Sequence, residues 1–429
     1  MMNLYGIDLK ITPEEKPVII EINGRQSGTE GFVNVYRDLR TQKKILSKMA
    51  EKAGDNGIYM TDMNAGSLNP LLRIALGIIW FQDILRLRLK YRGCSPQMDW
   101  IIDDTPKLYE KKLPQYFSEA AERLGINLFT YAHLLYEDDR NLIVNYVDGV
   151  ERKHRGKERI TPDDIGLIWS LRSASIPSRR KKEVIFPGPT DFDPKLVNPF
   201  PIENALHVKS YLHELLERTE FSDFLPKTEL YGAGLTRDNY DFIETPMFVK
   251  KPNSYCRGYG LRIYPRNRLK WMLQKSKPKK ENKKVFDMVK KAKNSVSFFA
   301  SISFLRLFSS LIQEFVPSKP IHSDVTGKEH DGCMRAIVLD GEFIDGYWRL
   351  SPQPLDGYKS MKNLRRKYGA NLSRGALAQR ISESDFEIVK PFTERLVKVF
   401  EDCIDMYKDM NLWMSFETIY WLKNLMINE

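Results

Sequence analysis

At 429 residues, 42% hydrophobic and 29% charged, the chain is long enough for two or three domains and has the composition of an ordinary globular protein. Its cysteines, Cys94, Cys256, Cys333 and Cys403, form no C-x-x-C pair, which argues against a zinc knuckle or disulfide scaffold and favours a reducing, cytoplasmic compartment. The net charge of +11 is local, because residues 266–293 hold twelve Lys or Arg against Glu281 and Asp287, ten of the eleven excess charges.

The first residues carry Asp8 and Lys10 and lack a signal-type apolar core. Residues 5 to 23 run YGIDLKI, TPEEKP, VIIEIN, which predicts a hairpin with Glu14 and Glu15 at its tip. Position n then opposes position 29 minus n, so Asp8 faces Glu21, and Asn23 shares the face of Glu21. Two carboxylates and an amide oxygen on one sheet face outline a hard-cation site, against the plainer reading of a solvated hairpin face. Gly24, Gly28 and Gly31, with Arg25, Ser27 and Thr29 between them, follow as a donor-rich turn suited to an acyl or phosphoryl oxygen.

Asn34 to Lys52 is helical in pattern, Asn64 to Pro70 loop-like, and Leu71 to Leu89 a long apolar helix, either core or a dimer surface. No apolar run approaches the ~20 residues that span a bilayer, and Arg73, Asp83, Arg86 and Arg88 break this one, so no membrane partner is expected. Asp99 to Ile185 reads as a small α/β domain: WIID, a helix through Tyr116 and Ala120, then INLF, NLIVNYV and IGLIW. Asp103, Asp104, Asp163 and Asp164 near strand ends are read as helix caps. Pro187 to Pro201 reads as a linker into a helix with Lys209 and His213.

Met247 to Leu261, MFVKKPNSYCRGYGL, is the stretch around which the rest is organised. A strand carries Lys250 and Lys251 to a proline, then a loop with Gly258 and Gly260 lets backbone N–H groups approach an anion; the alternative is a basic hairpin turn. The basic segment 266–293 follows, with Trp271 and Phe286 its only aromatics, so a polyanion contact is more natural than stacking on single strands. LIQEFV reads as a strand ending at Pro317. Met334 to Leu339 and Glu342 to Tyr347 form a hairpin around Asp340-Gly341, with Arg335 in its first strand and Arg349 beyond its second. Residues 385 to 410 are helical.

Together these residues resemble the ATP-grasp family. FVKKP with its glycine loop resembles the strand and glycine lid, implying that Lys251, or its neighbour Lys250, contacts phosphates beneath Gly258 and Gly260. ENALHVKSYLHELL is similar to the segment that supplies an earlier nucleotide lysine, here Lys209. LIQEFV resembles the connection that meets adenine, implicating Gln313, Glu314, Phe315 and Val316. Arg335 is similar to the arginine near the transferred phosphoryl group. DLKI with IIEINGRQSG resembles the metal strands, with Asp8, Glu21 and Asn23 as ligands of Mg2+, or alternatively Mn2+. Those strands usually come last, whereas here they come first. A circular permutation, a hairpin that serves another subunit, and a degraded C-terminal copy are the three explanations.

The resemblance implies an α+β fold, two α+β subdomains clasping ATP, with an additional α/β substrate domain. The expected segments are a metal-binding hairpin over 1–36, a helical extension over 37–95, an α/β substrate-side domain over 96–195, a lid subdomain over 196–310 and a C-terminal subdomain over 311–429. The implied reaction is ATP-dependent ligation of a small-molecule or peptide carboxylate to an amine through an acylphosphate. Arg335, Lys251, Arg25 and Ser27 would serve the reacting groups, with Arg349 beside them. A kinase of the same architecture and an inactive, basic polyanion-binding module are the competing readings. A homo-oligomer is one open option.

Overall fold

The computed structural model describes residues 2–24, 29–61, 113–136, 141–147, 154–170, 193–199, 202, 206, 209–231, 243–253, 261–275, 310–356, 364–370 and 376–407. In chain order these form Leu4–Ile11 (β1), Pro17–Asn23 (β2), Glu30–Tyr36 (α1), Arg40–Ala53 (α2), Gly57–Thr61 (β3), Leu113–Leu124 (α3), Leu128–Tyr136 (β4), Leu142–Val147 (β5), His154–Ile160 (β6) and Ile165–Ser170 (β7). The second half continues with Lys209–Leu216 (α4), Thr228–Tyr231 (β8), Met247–Pro252 (β9), Arg262–Pro265 (β10), Arg268–Lys275 (α5), Ser310–Glu314 (β11), Ile321–His322 (β12) and Glu329–His330 (β13). Gly332–Leu339 (β14), Glu342–Leu350 (β15), Leu364–Tyr368 (α6), Leu377–Arg380 (β16) and Glu383–Tyr407 (α7) complete it. The fold is mixed α+β.

The strand order β16-β15-β14-β1-β2 makes the first sheet, so the N-terminal hairpin docks on the C-terminal hairpin of its own chain. Asp340 and Gly341 both have positive φ, 52° and 79°, and join Leu339 to Glu342 as a two-residue turn, the conformation that an Asp-Gly pair favours. Strand alternation divides this sheet into two faces. Tyr5, Ile7, Leu9 and Ile11 with Met334, Ala336, Val338, Trp348 and Leu350 pack on Leu212, Leu216, Leu396 and Phe400 of α4 and α7. On the opposite face, Leu4, Ile337, Leu339 and Tyr347 pack at one end against Phe32, Ile45 and Met49 of α1 and α2. The other end of that face is polar and carries the candidate site.

A second sheet runs β10-β9-β11-β8 and presents Lys251 and Gln313. A third, β6-β5-β4-β3-β7, is parallel at β4-β3-β7 and antiparallel at β4-β5 and β5-β6. The strands expected at INLF, NLIVNYV and IGLIW and the helix through Tyr116 are all present, with Phe117, Ala120 and Ala121 buried against Trp169. Asp164 accepts from the backbone N–H and hydroxyl of Thr161, so its role is structural, but it is the third residue of the turn 162–164 and Thr161 is the cap. Among the described residues, no helix is long and apolar enough to cross a membrane.

Three expectations need correction. The helical pattern at 34–52 is two helices, because Arg37 takes φ 58° and closes α1 with its N–H on the Val33 carbonyl. The hairpin register holds from Gly6↔Asn23 to Asp8↔Glu21, then slips to Leu9↔Ile19, leaving Ile20 as the extra residue of a bulge. The described part of the expected linker, 193–199, is tied down: Leu196 and Val197 bridge to Ile168 and Met2, and the Asn198 side chain bonds both the N–H and the carbonyl of Leu4. Leu71 to Leu89, Asp103, Asp104 and the basic segment beyond Lys275 lie outside the described residues.

Candidate functional site

One row of paired positions crosses the first sheet: Glu21 on β2, Asp8 on β1, Arg335 on β14, Tyr347 on β15 and Arg380 on β16. The next row on the same face holds Cys333, paired with Arg349. Because alternate side chains share a face, Asp8 and Lys10 both point this way. Arg349 belongs to β15, which runs three residues beyond the expected strand.

Asp8 is 6% exposed and lies between two guanidinium groups. Arg335 grips it with both arms, Nε to Oδ1 at 2.5 Å and Nη2 to Oδ2 at 3.0 Å, and Arg349 Nη2 reaches Oδ1 at 2.6 Å. Burial alone would raise the Asp8 pKa, but the two guanidinium charges outweigh it and hold the carboxyl below its usual range. Burial would depress Arg349 as well, yet the Asp8 carboxylate holds it well above its ordinary value. Arg349 Nη2 also contacts Cys333 Sγ at 3.4 Å, and burial pushes that thiol up.

Lys251 enters from the second sheet, where β9 is central and paired with both β10 and β11. Its Nζ donates to the Ile20 carbonyl at 3.2 Å, the residue that the β2 bulge leaves out of register. Only 5% exposed, Lys251 is pushed down to about 8, first by burial and then by the charge of Lys209, against the opposing pull of Glu21 and Asp8. Lys209, at the start of α4, pairs with Glu21 Oε1 at 3.1 Å. Its backbone N–H bonds the Asn253 carbonyl and the Asn253 side chain accepts from the Ser210 N–H, so this helix start is fixed to the strand carrying Lys251. Asn23 donates its amide to the Gly6 carbonyl at 3.3 Å.

No family model matches the chain, and no curated protein matches it in sequence. Among solved structures, it is similar to one described as "Putative gamma-glutamylcysteine synthetase" from Methylobacillus flagellatus KT, with 14% identity and a TM-score of 0.41 over 88% of this chain and 80% of that one. At that identity and score the likeness identifies neither a family nor an activity.

The fold therefore brings together Asp8, Glu21, Asn23, Lys209, Lys251 and Arg335, residues picked from four separate stretches of sequence. Arg25, Ser27, Gly258 and Gly260 lie outside the described residues. Lys250 turns to the other side of β9, with its ammonium 4.5 Å from the Tyr231 ring. Gln313 is buried, its amide donating to Thr228 Oγ1 at 2.9 Å and lying 3.3 Å from His213 Nε2. Burial and the charge of Lys251 push His213 down to about 3, so it is neutral. Glu314 and Phe315 are held by backbone bonds to Lys227 and Met247, and Val316 follows half-buried.

Sequence reasoning missed the pair beside this cluster. Lys10 Nζ bonds both oxygens of Asp331, at 2.9 and 2.7 Å, and sits 5.0 Å from the Phe315 ring. Lys10 was readable, two residues from Asp8 on the same face; Asp331, far along the chain, was not.

Electrostatically the cluster sets Lys209, Lys251, Arg335 and Arg349 against Asp8 and Glu21, a positive balance. A bare divalent cation does not fit it: guanidinium groups take the Asp8 oxygens, Lys209 takes Glu21, and among the described residues no three His, Cys, Asp or Glu side chains gather as a metal cage. The donors suit an anion of several oxygens, such as a polyphosphate.

Proposed function

We propose that the chain is an ATP-dependent carboxylate–amine ligase of the ATP-grasp type, acting on a small-molecule or peptide acid through an acylphosphate. The supporting observation is the meeting of Lys251 from one sheet and Lys209 from α4 with the Glu21–Asp8–Arg335 row of another, where cationic side chains outnumber carboxylates.

The physical requirement is charge neutralisation. A carboxylate oxygen attacks the terminal phosphorus of ATP, the bond to the bridging oxygen breaks, and ADP leaves. The amine then attacks the acyl carbon, phosphate departs, and the amine gives up a proton. Anionic nucleophile and anionic phosphate approach only where fixed cations cover both. In this reading Lys251, Lys209 and Arg335 cover the phosphate oxygens, while Arg349 serves the acyl group, a role that the resemblance also gives to Arg25 and Ser27. Gln313, Glu314, Phe315 and Val316 serve the adenine end, and the resemblance assigns Gly258 and Gly260 to the phosphates as well. Mg2+, or Mn2+, would arrive with the triphosphate and supply Lewis-acid stabilisation.

The test is ADP release with magnesium and ATP, scanning pooled carboxylates with pooled amines, beside Glu21→Ala and Lys251→Ala. Turnover that needs both pools and disappears in both variants supports ligation at this site. Turnover with a carboxylate or alcohol alone, leaving a stable phosphorylated product, replaces the ligase with a kinase.

A further inference from the structure

The place of Asp8 is at odds with a metal ligand, and the disagreement is informative. A hard cation needs oxygen lone pairs turned towards it and an excess of negative charge. Around Asp8 the reverse holds: the Arg335 fork binds both of its oxygens, and Arg349 Nη2 takes a second position on Oδ1. Lys251 and Lys209 stand at the Glu21 end of the same row. Arg349 Nε, moreover, is buried with no acceptor. Buried N–H donors are nearly always satisfied, since desolvation without a partner is costly, so an orphaned guanidinium N–H marks a place where a further oxygen belongs. In this geometry the Asp8 carboxylate accepts from Arg335 Nε and Nη2 and from Arg349 Nη2 but leaves Arg349 Nε unmet, and a phosphoryl group with three oxygens offers the further acceptor.

We infer that Asp8 is the resident anion of an oxyanion site built by Arg335 and Arg349, and that a phosphoryl group displaces it from this pair when substrate binds. Naming the guest as phosphoryl rests on the ligase reading, whereas the exchange rests on the ion-pair geometry alone. A tethered carboxylate is present at high effective concentration, so it screens the arginines from weak free anions and yields to a multidentate one. The same carboxylate holds both guanidinium planes in position while the site is empty of substrate, which preorganises them. Cys333, against Arg349 Nη2, is the soft neighbour that this arm keeps when Asp8 swings away.

The experiment is calorimetric titration of inorganic phosphate, without nucleotide or metal, into the wild type, Asp8→Asn, and the double variant Asp8→Asn/Arg349→Met. Acetate is the second probe and Mn2+ alone the third. Removing the competing charge is expected to tighten phosphate binding by at least about tenfold, with the gain lost in the double variant and Mn2+ binding unchanged by Asp8→Asn. Phosphate binding that does not tighten, or Mn2+ binding that weakens in Asp8→Asn, overturns the proposal and returns Asp8 to the metal. An equal gain for acetate overturns the phosphoryl assignment in favour of a carboxylate guest. Should Asp8→Asn not fold, refolding in phosphate rescues it under this proposal, and chloride at equal ionic strength does not; no difference between the two counts against it. Because ATP turnover is not read, failure of the ligase reading leaves the result intact, and failure here leaves ADP release to be judged separately.

Discussion

Raising the pH should switch off anion binding at Lys251. Its ammonium is pushed from 10.5 to about 8 by burial, a shift equivalent to about 3 kcal/mol between its two protonation states. The sign follows from that direction. The charged form is the costly one in the folded protein, so its cost to stability is present below about 8 and relieved as pH rises towards 10.5. Anion affinity runs the other way, since a bound phosphate favours the charged lysine. Phosphate groups themselves have finished their second ionisation, near pH 6, well below this window. Nucleotide affinity should therefore be level from pH 7 to about 7.5 and fall towards tenfold per unit above about 8, reaching roughly thirtyfold near pH 9.5. The assay is nucleotide titration over that range in the wild type and in Lys251→Arg, whose charge does not titrate there. A wild-type profile flat through pH 9, or a Lys251→Arg profile with the same slope, refutes the assignment. The corollary concerns stability: Lys251→Met loses nucleotide binding yet melts no lower than the wild type at pH 7, because it removes a buried charge.

Lys10→Met leaves Asp331 buried without its ammonium partner and should cost roughly 3–5 kcal/mol by denaturant unfolding. Adding Asp331→Asn to Lys10→Met should recover part of that loss, whereas a double variant worse than the single one contradicts the pairing. Gly31→Ala places a Cβ into the Tyr347 ring, which is fixed by an edge contact with Phe32, and should destabilise by about 1–3 kcal/mol. Unfolding midpoints of Gly31→Ala and Tyr347→Leu/Gly31→Ala read this directly, since the smaller side chain relieves the clash. Glu21→Gln removes the carboxylate that pairs with Lys209 at 3.1 Å and weakens the pull that keeps Lys251 charged, so the pH at which nucleotide affinity begins to fall should move below that of the wild type.

The sequence was most legible where short-range periodicity carries the information. Alternation and the Thr-Pro-Glu-Glu turn put Asp8 opposite Glu21 in the hairpin, and Asp340-Gly341 specified a turn with two left-handed residues. The bulge at Ile20 was not legible, because VIIEI is β-forming throughout and nothing local tells which residue drops out. Yet that bulge frees the carbonyl that holds Lys251. Pairing of β1 with β14 joins Asp8 to Arg335 across 327 residues, a contact with no local signal. The resemblance grouped these residues, which do lie together in the fold, but it did not anticipate that Arg335 and Arg349 clasp Asp8. Strand β3, with only five residues, was missed because its partners lie far ahead in the chain, and it takes a central position between β4 and β7.

The measurement that tests the account most directly is calorimetric titration of magnesium-ATP into the folded wild type and Lys251→Ala. The account predicts saturable binding, one nucleotide per chain, abolished in Lys251→Ala without loss of fold. A well-folded wild type that binds no magnesium-ATP, or a Lys251→Ala protein that binds it as well as the wild type, would contradict the nucleotide site between the two sheets.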